Sequence, residues 1–276
     1  MRAFRLGMVQ MRVEGGEKRR NLRRARELIR RAAGSGAEVA LLPEAMDLGW
    51  TDPSARDHAE QIPEGSACDA LRDAARGDRV YVCAGITERC GEAVYNAAVL
   101  FGPDGSLLLH HRKLNELAIG HDAYDQGDRL GVVSTPLARF GLMICADAFA
   151  PGQVVSRSLG LMGADVILSP SAWAVPASHD PVLEPYGGLW LDNYGPVARD
   201  FKLWIAGVSG VGWILGGAWK GRKCIGNSLL VGPDGSEAVR CPYGHDAEAF
   251  VVTDVSPVAR PARGDSWADH WARTPA

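Results

Sequence analysis

Apolar and polar positions alternate in blocks along the chain. Phe4 to Met11 is a short apolar run that reads as a first strand. Glu17 to Ala33 carries Leu22, Leu28 and Ile29 at helical spacing, with Gly34 and Gly36 to end it. Glu38 to Leu42 is a buried strand that runs into Pro43-Glu44. Ser66 to Arg76 reads as a helix, and Val80 to Thr87 and Val94 to Phe101 as strands. Gly102-Pro103-Asp104-Gly105 is a hairpin turn, and Leu107 to His111 continues the hairpin to Arg112-Lys113.

The second half repeats the alternation. Gly141 to Ile144 is a strand that reaches Cys145, Gln153 to Met162 a helix, and Val166 to Ser169 a strand that ends at Pro170. Leu183 to Phe201 reads as a helix interrupted by Gly and Pro, and Leu203 to Val211 as a strand. Ser228 to Val231 leads to a second turn of the same sequence, Gly232-Pro233-Asp234-Gly235, and Ala249 to Val255 closes the sheet. The repeated turn points to two similar halves. Hairpins mixed with strand–helix alternation predict an α/β fold of mixed sheets covered by helices. No low-complexity linker divides the chain. One domain is expected over residues 1–258, with a polar C-terminal arm over 259–276 that holds Trp267 and Trp271.

Composition narrows the function classes. The 276 residues are 46% hydrophobic and 23% charged, the balance of an ordinary globular protein rather than a disordered or fibrous one. A net charge of −3 gives no basic footprint for nucleic acid, and the arginines from Arg19 to Arg31 read as the solvated face of one amphipathic helix. No run of apolar residues is long enough to span a membrane, and the first residues lack the apolar core of a secretory leader. The six cysteines show neither CxxC nor framework spacing, which fits reduced thiols in a cytoplasm. The histidines form no HxxxH pair, so no metal site is expected.

Three chemically competent residues stand at strand ends, where α/β folds bind ligands: Glu44, Lys113 and Cys145. Together a carboxylate, an ammonium and a thiol make a covalent catalyst. The thiolate is the nucleophile, the carboxylate moves the proton, and the ammonium stabilises developing negative charge. Each also has a plain structural reading, as core filling, helix-terminal charge or solvated lysine. Spacing alone does not choose. The glycine-rich Gly216 to Gly221 segment lacks the P-loop pattern and is expected as a loop near the cleft, and no GxSxG elbow surrounds Ser209. Trp190 and Tyr194 are expected in the core, and Cys224 is read as structural.

The segments Leu41-Leu42-Pro43-Glu44, His111-Arg112-Lys113-Leu114 and Gly141-Leu142-Met143-Ile144-Cys145-Ala146-Asp147 stand in the order and spacing of the nitrilase, or carbon–nitrogen hydrolase, superfamily. Gly7-Met8-Val9-Gln10, Tyr95-Asn96-Ala97-Ala98, Gln126-Gly127-Asp128 and Leu168 to Trp173 resemble further family segments, so the resemblance covers residues 4 to about 256. It implies a four-layer αββα sandwich with two mixed β-sheets and a Glu–Lys–Cys triad. Carried over, Cys145 attacks the substrate carbon and Glu44 is base, then acid. Lys113 and the backbone N–H of Ala146 hold the oxyanion. Trp173, just after the Pro170 strand end, is by its position a candidate pocket wall, with plain core packing as the alternative. The resemblance implies no metal or organic cofactor, a small-molecule amide as substrate, and a dimer or higher homo-oligomer.

Two departures from the family pattern bear on substrate. Many relatives carry a second active-site Glu after the Lys, at the position that is Gly120 here. Glu116 is the nearest substitute, with Asp122 weaker. Ala146 follows the cysteine where relatives often have Tyr, Trp or Asn, which leaves more room. A nitrile-directed member follows its Cys with Trp-Glu, and Ala146-Asp147 does not match, so a small amide or N-carbamoyl compound is expected. Arg129, Arg199 and Arg222 are candidates for a substrate carboxylate. The alternatives are a decayed binding protein, suggested by Gly120, and an acyltransferase that needs an amine acceptor.

Overall fold

The computed structural model describes residues 2–259 and Trp267. The first half runs β1 (Phe4–Gln10), α1 (Lys18–Gly34), β2 (Val39–Leu41), α2 (Ala55–His58), α3 (Ser66–Asp78), β3 (Tyr81–Cys90), β4 (Ala93–Phe101) and β5 (Leu107–Arg112). The second runs β6 (Val132–Ser134), β7 (Arg139–Leu142), α4 (Val154–Met162), β8 (Val166–Ser171), β9 (Ala174–Val175), α5 (Gly188–Phe201), β10 (Trp204–Ser209), β11 (Val211–Trp213), β12 (Lys223–Ile225), β13 (Leu229–Val231), β14 (Glu237–Arg240) and β15 (Ala249–Val255).

Two six-stranded sheets result, ordered β15-β1-β2-β3-β4-β5 and β14-β13-β10-β8-β7-β6, beside a small β11-β12-β9 sheet. Each large sheet has three central parallel strands, β1-β2-β3 in one and β7-β8-β10 in the other. Each continues into an antiparallel hairpin, β4-β5 or β13-β14, and each hairpin turns on the Gly-Pro-Asp-Gly sequence. The similar halves expected from the repeated turn are therefore real at the level of topology. Gly7 and Gly141 occupy matching places in β1 and β7. A Cβ on Gly7 would lie 3.1 Å from that of Ala37, and one on Gly141 would lie 3.1 Å from that of Ala164, so both glycines let the chain beneath a helix seat closely.

Side-chain alternation assigns the layers. Phe4, Leu6 and Met8 point between the sheets and meet Phe140, Leu142, Val166 and Leu168, while Val9 and Met11 point the other way, to Leu22 and Ile29 of α1 and Leu71 of α3. Trp190, Tyr194 and Val197 of α5 and Leu159 of α4 cover the outer face of the second sheet. The layering is α1/α3, sheet, sheet, α4/α5, a four-layer αββα sandwich. No helix among the described residues is long and apolar enough to cross a membrane.

Three elements differ from the sequence reading. The helix expected from Leu183 begins only at Gly188. Pro185 has no N–H to give, Gly187 takes φ 118°, and Leu183 stays 84% exposed. The strand expected over Leu203 to Val211 breaks at Gly210, and Val211 to Trp213 joins the small sheet instead. β3 runs on to Cys90, because its partner β4 pairs with it along its whole length. Of the proposed C-terminal arm, Trp271 lies outside the described residues and Trp267 is exposed.

Candidate active site

Strand ends bring the site together. Glu44 follows β2, and Gly85 of β3 allows its backbone to approach, since a Cβ at Gly85 would lie 2.5 Å from Glu44 Cα. The ladder is completed by Met46 N–H to the Gly85 carbonyl at 2.8 Å and Gly85 N–H to the Pro43 carbonyl at 2.9 Å. Lys113 follows β5, its N–H held by the Asn96 carbonyl at 2.9 Å, while its own carbonyl accepts from Gly127 N–H at 2.9 Å. A Cβ on Gly127 would come 2.2 Å from the Arg112 carbonyl oxygen, so only glycine lets the 126–128 turn lie against this strand end.

Glu44, Lys113 and Glu116 are all buried and share one hydrogen-bonded cluster. Lys113 Nζ donates to Glu44 Oε1 and to Glu116 Oε1, both at 2.8 Å. Asn96 Nδ2 donates to Glu44 Oε1 at 2.6 Å and to Glu116 Oε2 at 2.9 Å. Glu116 Oε1 also accepts from Leu117 N–H at 2.9 Å. A Cβ at Gly120 would lie 2.6 Å from Glu116 Cγ and 2.8 Å from its Cδ. The missing side chain at 120 leaves the space that Glu116 fills.

Cys145 opens a short 3-10 turn, Cys145–Phe149, on left-handed backbone with φ 42°. A non-glycine residue held there stores roughly 1–3 kcal/mol of strain, which the surroundings must offset. Asp147 does much of that. Its carboxylate accepts from Ile144 N–H at 2.8 Å, Leu114 N–H at 3.0 Å, Asn115 N–H at 2.8 Å and His111 Nε2 at 2.8 Å. Asn115 Nδ2 adds a bond to the Ala146 carbonyl at 2.6 Å. The nucleophile turn is thereby tied to the segment that carries Lys113 and Glu116.

The electrostatics follow from burial against partners. Burial pushes the Glu44 carboxyl above its ordinary value, with Lys113 opposing and Glu116 adding to the rise. Burial would lower the Lys113 ammonium, but Glu44 and Glu116 outweigh it and hold the charge more firmly than in water. Burial and the Glu44 charge push the Cys145 thiol well above its ordinary value, only partly offset by Lys113 and by the backbone N–H of Ala172. Cys145 is thereby biased toward its protonated thiol form. Asp147 is opposite in sign: burial would raise it, but His111 and the backbone donors hold it below the ordinary value.

A narrow cavity of about 30 Å³ opens at Glu44 and is walled there by Trp50, Ala172 and Cys224. Cys145 is not among its walls, but Ala172 is both a wall and a donor to the Cys145 sulfur. The Trp50 ring lies 5.8 Å from Lys113 Nζ and edge-on to Trp219 at 4.9 Å. Trp173, expected on a pocket wall, instead stacks on Trp190 at 4.4 Å and is 1% exposed, so it serves the core beside this cavity. Trp190 and Tyr194 are core residues as read from their spacing. Cys224 is half-buried, with its thiol raised to about 12 by burial and by Glu44. The segment 216–221 reaches the cleft, where a Cβ on Gly216 would lie 2.9 Å from Asp52 Oδ2. Among the described residues, no group of His, Cys, Asp and Glu is disposed to hold a metal ion.

Asn96, His111, Asn115 and Asp147 were given no role by sequence reasoning. All four lie inside or next to the motif segments, yet their partners are 20 to 52 residues away in sequence, and only the fold reveals them. The one local signal was that Asn96 falls on the strand whose hairpin partner ends at Lys113.

The carbon-nitrogen hydrolase family model matches residues 5–263. A nitrilase of Pyrococcus abyssi is 32% identical over 234 residues, 83% of this chain and 81% of that protein. An omega-amidase of Bos taurus is 36% identical over 157 residues, 53% of this chain and 56% of that enzyme. Among solved structures, an amidase from Nesterenkonia sp. AN1, carrying acrylamide added at its active-site cysteine, superposes with a TM-score of 0.77 at 20% identity, covering 92% of this chain and 93% of that one.

Proposed function

The chain belongs to the carbon-nitrogen hydrolase family, and from that premise we propose that it hydrolyses the carbon–nitrogen bond of a small amide or N-carbamoyl compound through a thioester on Cys145. The observation that carries this reading is the buried Lys113 ammonium bonded at 2.8 Å to two carboxylates, Glu44 and Glu116, with Cys145 electrostatically coupled to all three. Structural use alone does not account for it, since an apolar cluster would stabilise the fold as well as two buried carboxylates on one lysine.

Glu44 takes the thiol proton as Cys145 Sγ attacks the carbonyl carbon. The raised value of Glu44 makes it a stronger base toward the thiol than an ordinary carboxylate. The carbonyl π electrons move to oxygen, where Lys113 Nζ and the Ala146 N–H stabilise the charge, one such donor being worth about 3–4 kcal/mol. The carbon–nitrogen bond then breaks, and Glu44 returns the proton to the leaving nitrogen. Water, deprotonated by Glu44, attacks the thioester. The carbon–sulfur bond breaks, Cys145 regains its proton and the acid leaves. Glu116 and Asn96 act as positioning residues that fix Lys113 and Glu44. Glu116 in the cluster favours a working site over the decayed one that Gly120 suggested.

The test is a small-amide panel read by ammonia release and by intact mass. A mass increase on Cys145 matching the acyl group, with ammonia released, is expected in wild type and neither in Cys145→Ala. Full ammonia release by Cys145→Ala would end the proposal.

A further inference from the structure

The cavity that opens at Glu44 has a charge character that bears on its ligand. Its apolar walls come from Val13, Trp50, Val211, Trp213, Ile214 and Leu215. Its two acidic side chains are Glu44, at the reacting end, and Asp52, away from it; no Arg or Lys contributes a wall. The arginines that could have met a substrate carboxylate lie elsewhere. The Arg129 side chain is 87% exposed and Arg199 is on α5; Arg222 adjoins the wall through its carbonyl, which accepts from Ile214 N–H at 2.9 Å, but its guanidinium is held over Trp219 at 4.4 Å. Lys113 is the nearest ammonium, and its Nζ already serves two carboxylates.

Asp52 is half-buried and its Oδ1 accepts from Ser54 N–H at 3.0 Å. Among the described residues its Oδ2 accepts no hydrogen bond and pairs with no cation. A second wall group is also unsatisfied: Trp50 is 6% exposed, and its buried Nε1–H has no partner. A buried donor without an acceptor costs about 1–3 kcal/mol and marks a place where a ligand, or water, completes the bonding. The backbone around Asp52 is stripped of side chains, since a Cβ on Gly15 would lie 2.4 Å from Oδ2 and one on Gly216 2.9 Å from it.

We propose that this cleft selects its amide by charge, taking substrates with a distal ammonium group and rejecting those with a distal carboxylate, and that Asp52 is the residue that reads the difference. The inference rests on the hydrolase reading for the place of the scissile bond. The ammonium would meet Asp52 Oδ2, the alkyl chain would lie along Trp213, Ile214 and Leu215, and Trp50 Nε1–H would serve a substrate oxygen. A carboxylate at the same distance would instead face Asp52 across an apolar wall with no cation to pair it, which costs far more than a neutral end.

Binding separates this inference from the chemistry. Affinities of 4-aminobutanamide, pentanamide and succinamate, three amides of similar length, are measured by calorimetry on Cys145→Ala, so turnover is not needed. The cationic amide is expected to bind at least tenfold more tightly than succinamate, with pentanamide between them. In the Cys145→Ala, Asp52→Asn double variant that ratio should fall to about threefold or less. Succinamate binding as tightly as the cation, a ratio that survives Asp52→Asn, or no binding by any of the three would each overturn the proposal. Wild-type hydrolysis of the same amides tests the hydrolase reading separately, because a charge preference in binding without ammonia release sinks that reading alone.

Discussion

Replacing Gly120 with alanine tests whether the space beside Glu116 is functional. The added carbon would sit 2.6 Å from Glu116 Cγ, where ordinary contact begins near 3.4 Å, so something must yield by about 0.8 Å. A side chain usually yields cheaply, but this one is pinned. Its oxygens accept from Lys113 Nζ at 2.8 Å, Leu117 N–H at 2.9 Å and Asn96 Nδ2 at 2.9 Å, and a shift of that size lengthens such bonds past useful range. Bonds to charged groups are worth about 1.5–3 kcal/mol each, so losing two would cost roughly 3–6 kcal/mol, and a shift of the 3-10 turn at Ala118–Gly120 is the cheaper escape. Relaxation should bring the stability loss to about 1–3 kcal/mol. Misplacing Lys113 should lower kcat/KM by about 10²- to 10³-fold, the worth of one oxyanion donor. The assay is a double-mutant cycle with Glu116→Ala, by amide turnover and urea unfolding. All three of the nearest atoms belong to Glu116, so in the Glu116→Ala background Gly120→Ala should cost less than about threefold. Simple addition of the two effects, or full activity of Gly120→Ala, would refute the argument.

Three further outcomes are expected. Glu44 is raised above its ordinary 4.5 and must be ionised to take the thiol proton, so kcat/KM should fall as pH drops through an acid limb above 4.5. A limb at or below that value would remove Glu44 as the base. Lys113 is raised above its ordinary 10.5, so it should add no limb below that pH. Iodoacetamide should label the exposed Cys90 at equal rates in wild type and Glu44→Gln, while Cys145 labelling slows at least tenfold in the variant, read by peptide mass spectrometry, because losing the base that takes the thiol proton outweighs the easier ionisation that removing the Glu44 charge brings. Asp147→Ala leaves His111 and three backbone donors unpaired and should cost about 3–5 kcal/mol in urea unfolding at pH 7. Because the Asp147 carboxyl is depressed in the folded state, its contribution is complete above its ordinary 3.8 and is lost as pH falls through the depressed value. The gap between variant and wild type should close there; a constant gap would assign the loss to packing.

What sequence reasoning could and could not reach follows from range. The strands on either side of each Gly-Pro-Asp-Gly turn were legible because a hairpin is set by neighbours in sequence. Glu44, Lys113 and Cys145 were legible as strand-end residues, and the αββα layering through the family resemblance. The place of Glu116 was not, because Lys113 and Glu116 meet across a loop whose course is set by Asp147, 31 residues further on from Glu116. Trp173 went to the core for a similar reason: its stacking partner Trp190 belongs to a helix that no local pattern aims at it. The split at Gly210 was hidden because apolar residues resume at Val211 straight after Ser209-Gly210, while the chain changes sheet.

The pairing of β15 with β1 sets a schedule for synthesis. Phe4 pairs with Val255 and Gln10 with Ala249, so one of the earliest strands waits for one of the last. At about 5–20 residues per second, the ribosome leaves β1 without this neighbour for roughly 12–50 s. Throughout that interval a row of backbone donors and acceptors stands open beside Phe4, Leu6 and Met8, the kind of edge along which nascent chains cross-pair. Yield in a cell should therefore depend on translation speed and chaperone supply more steeply than the stability of the finished sandwich would suggest.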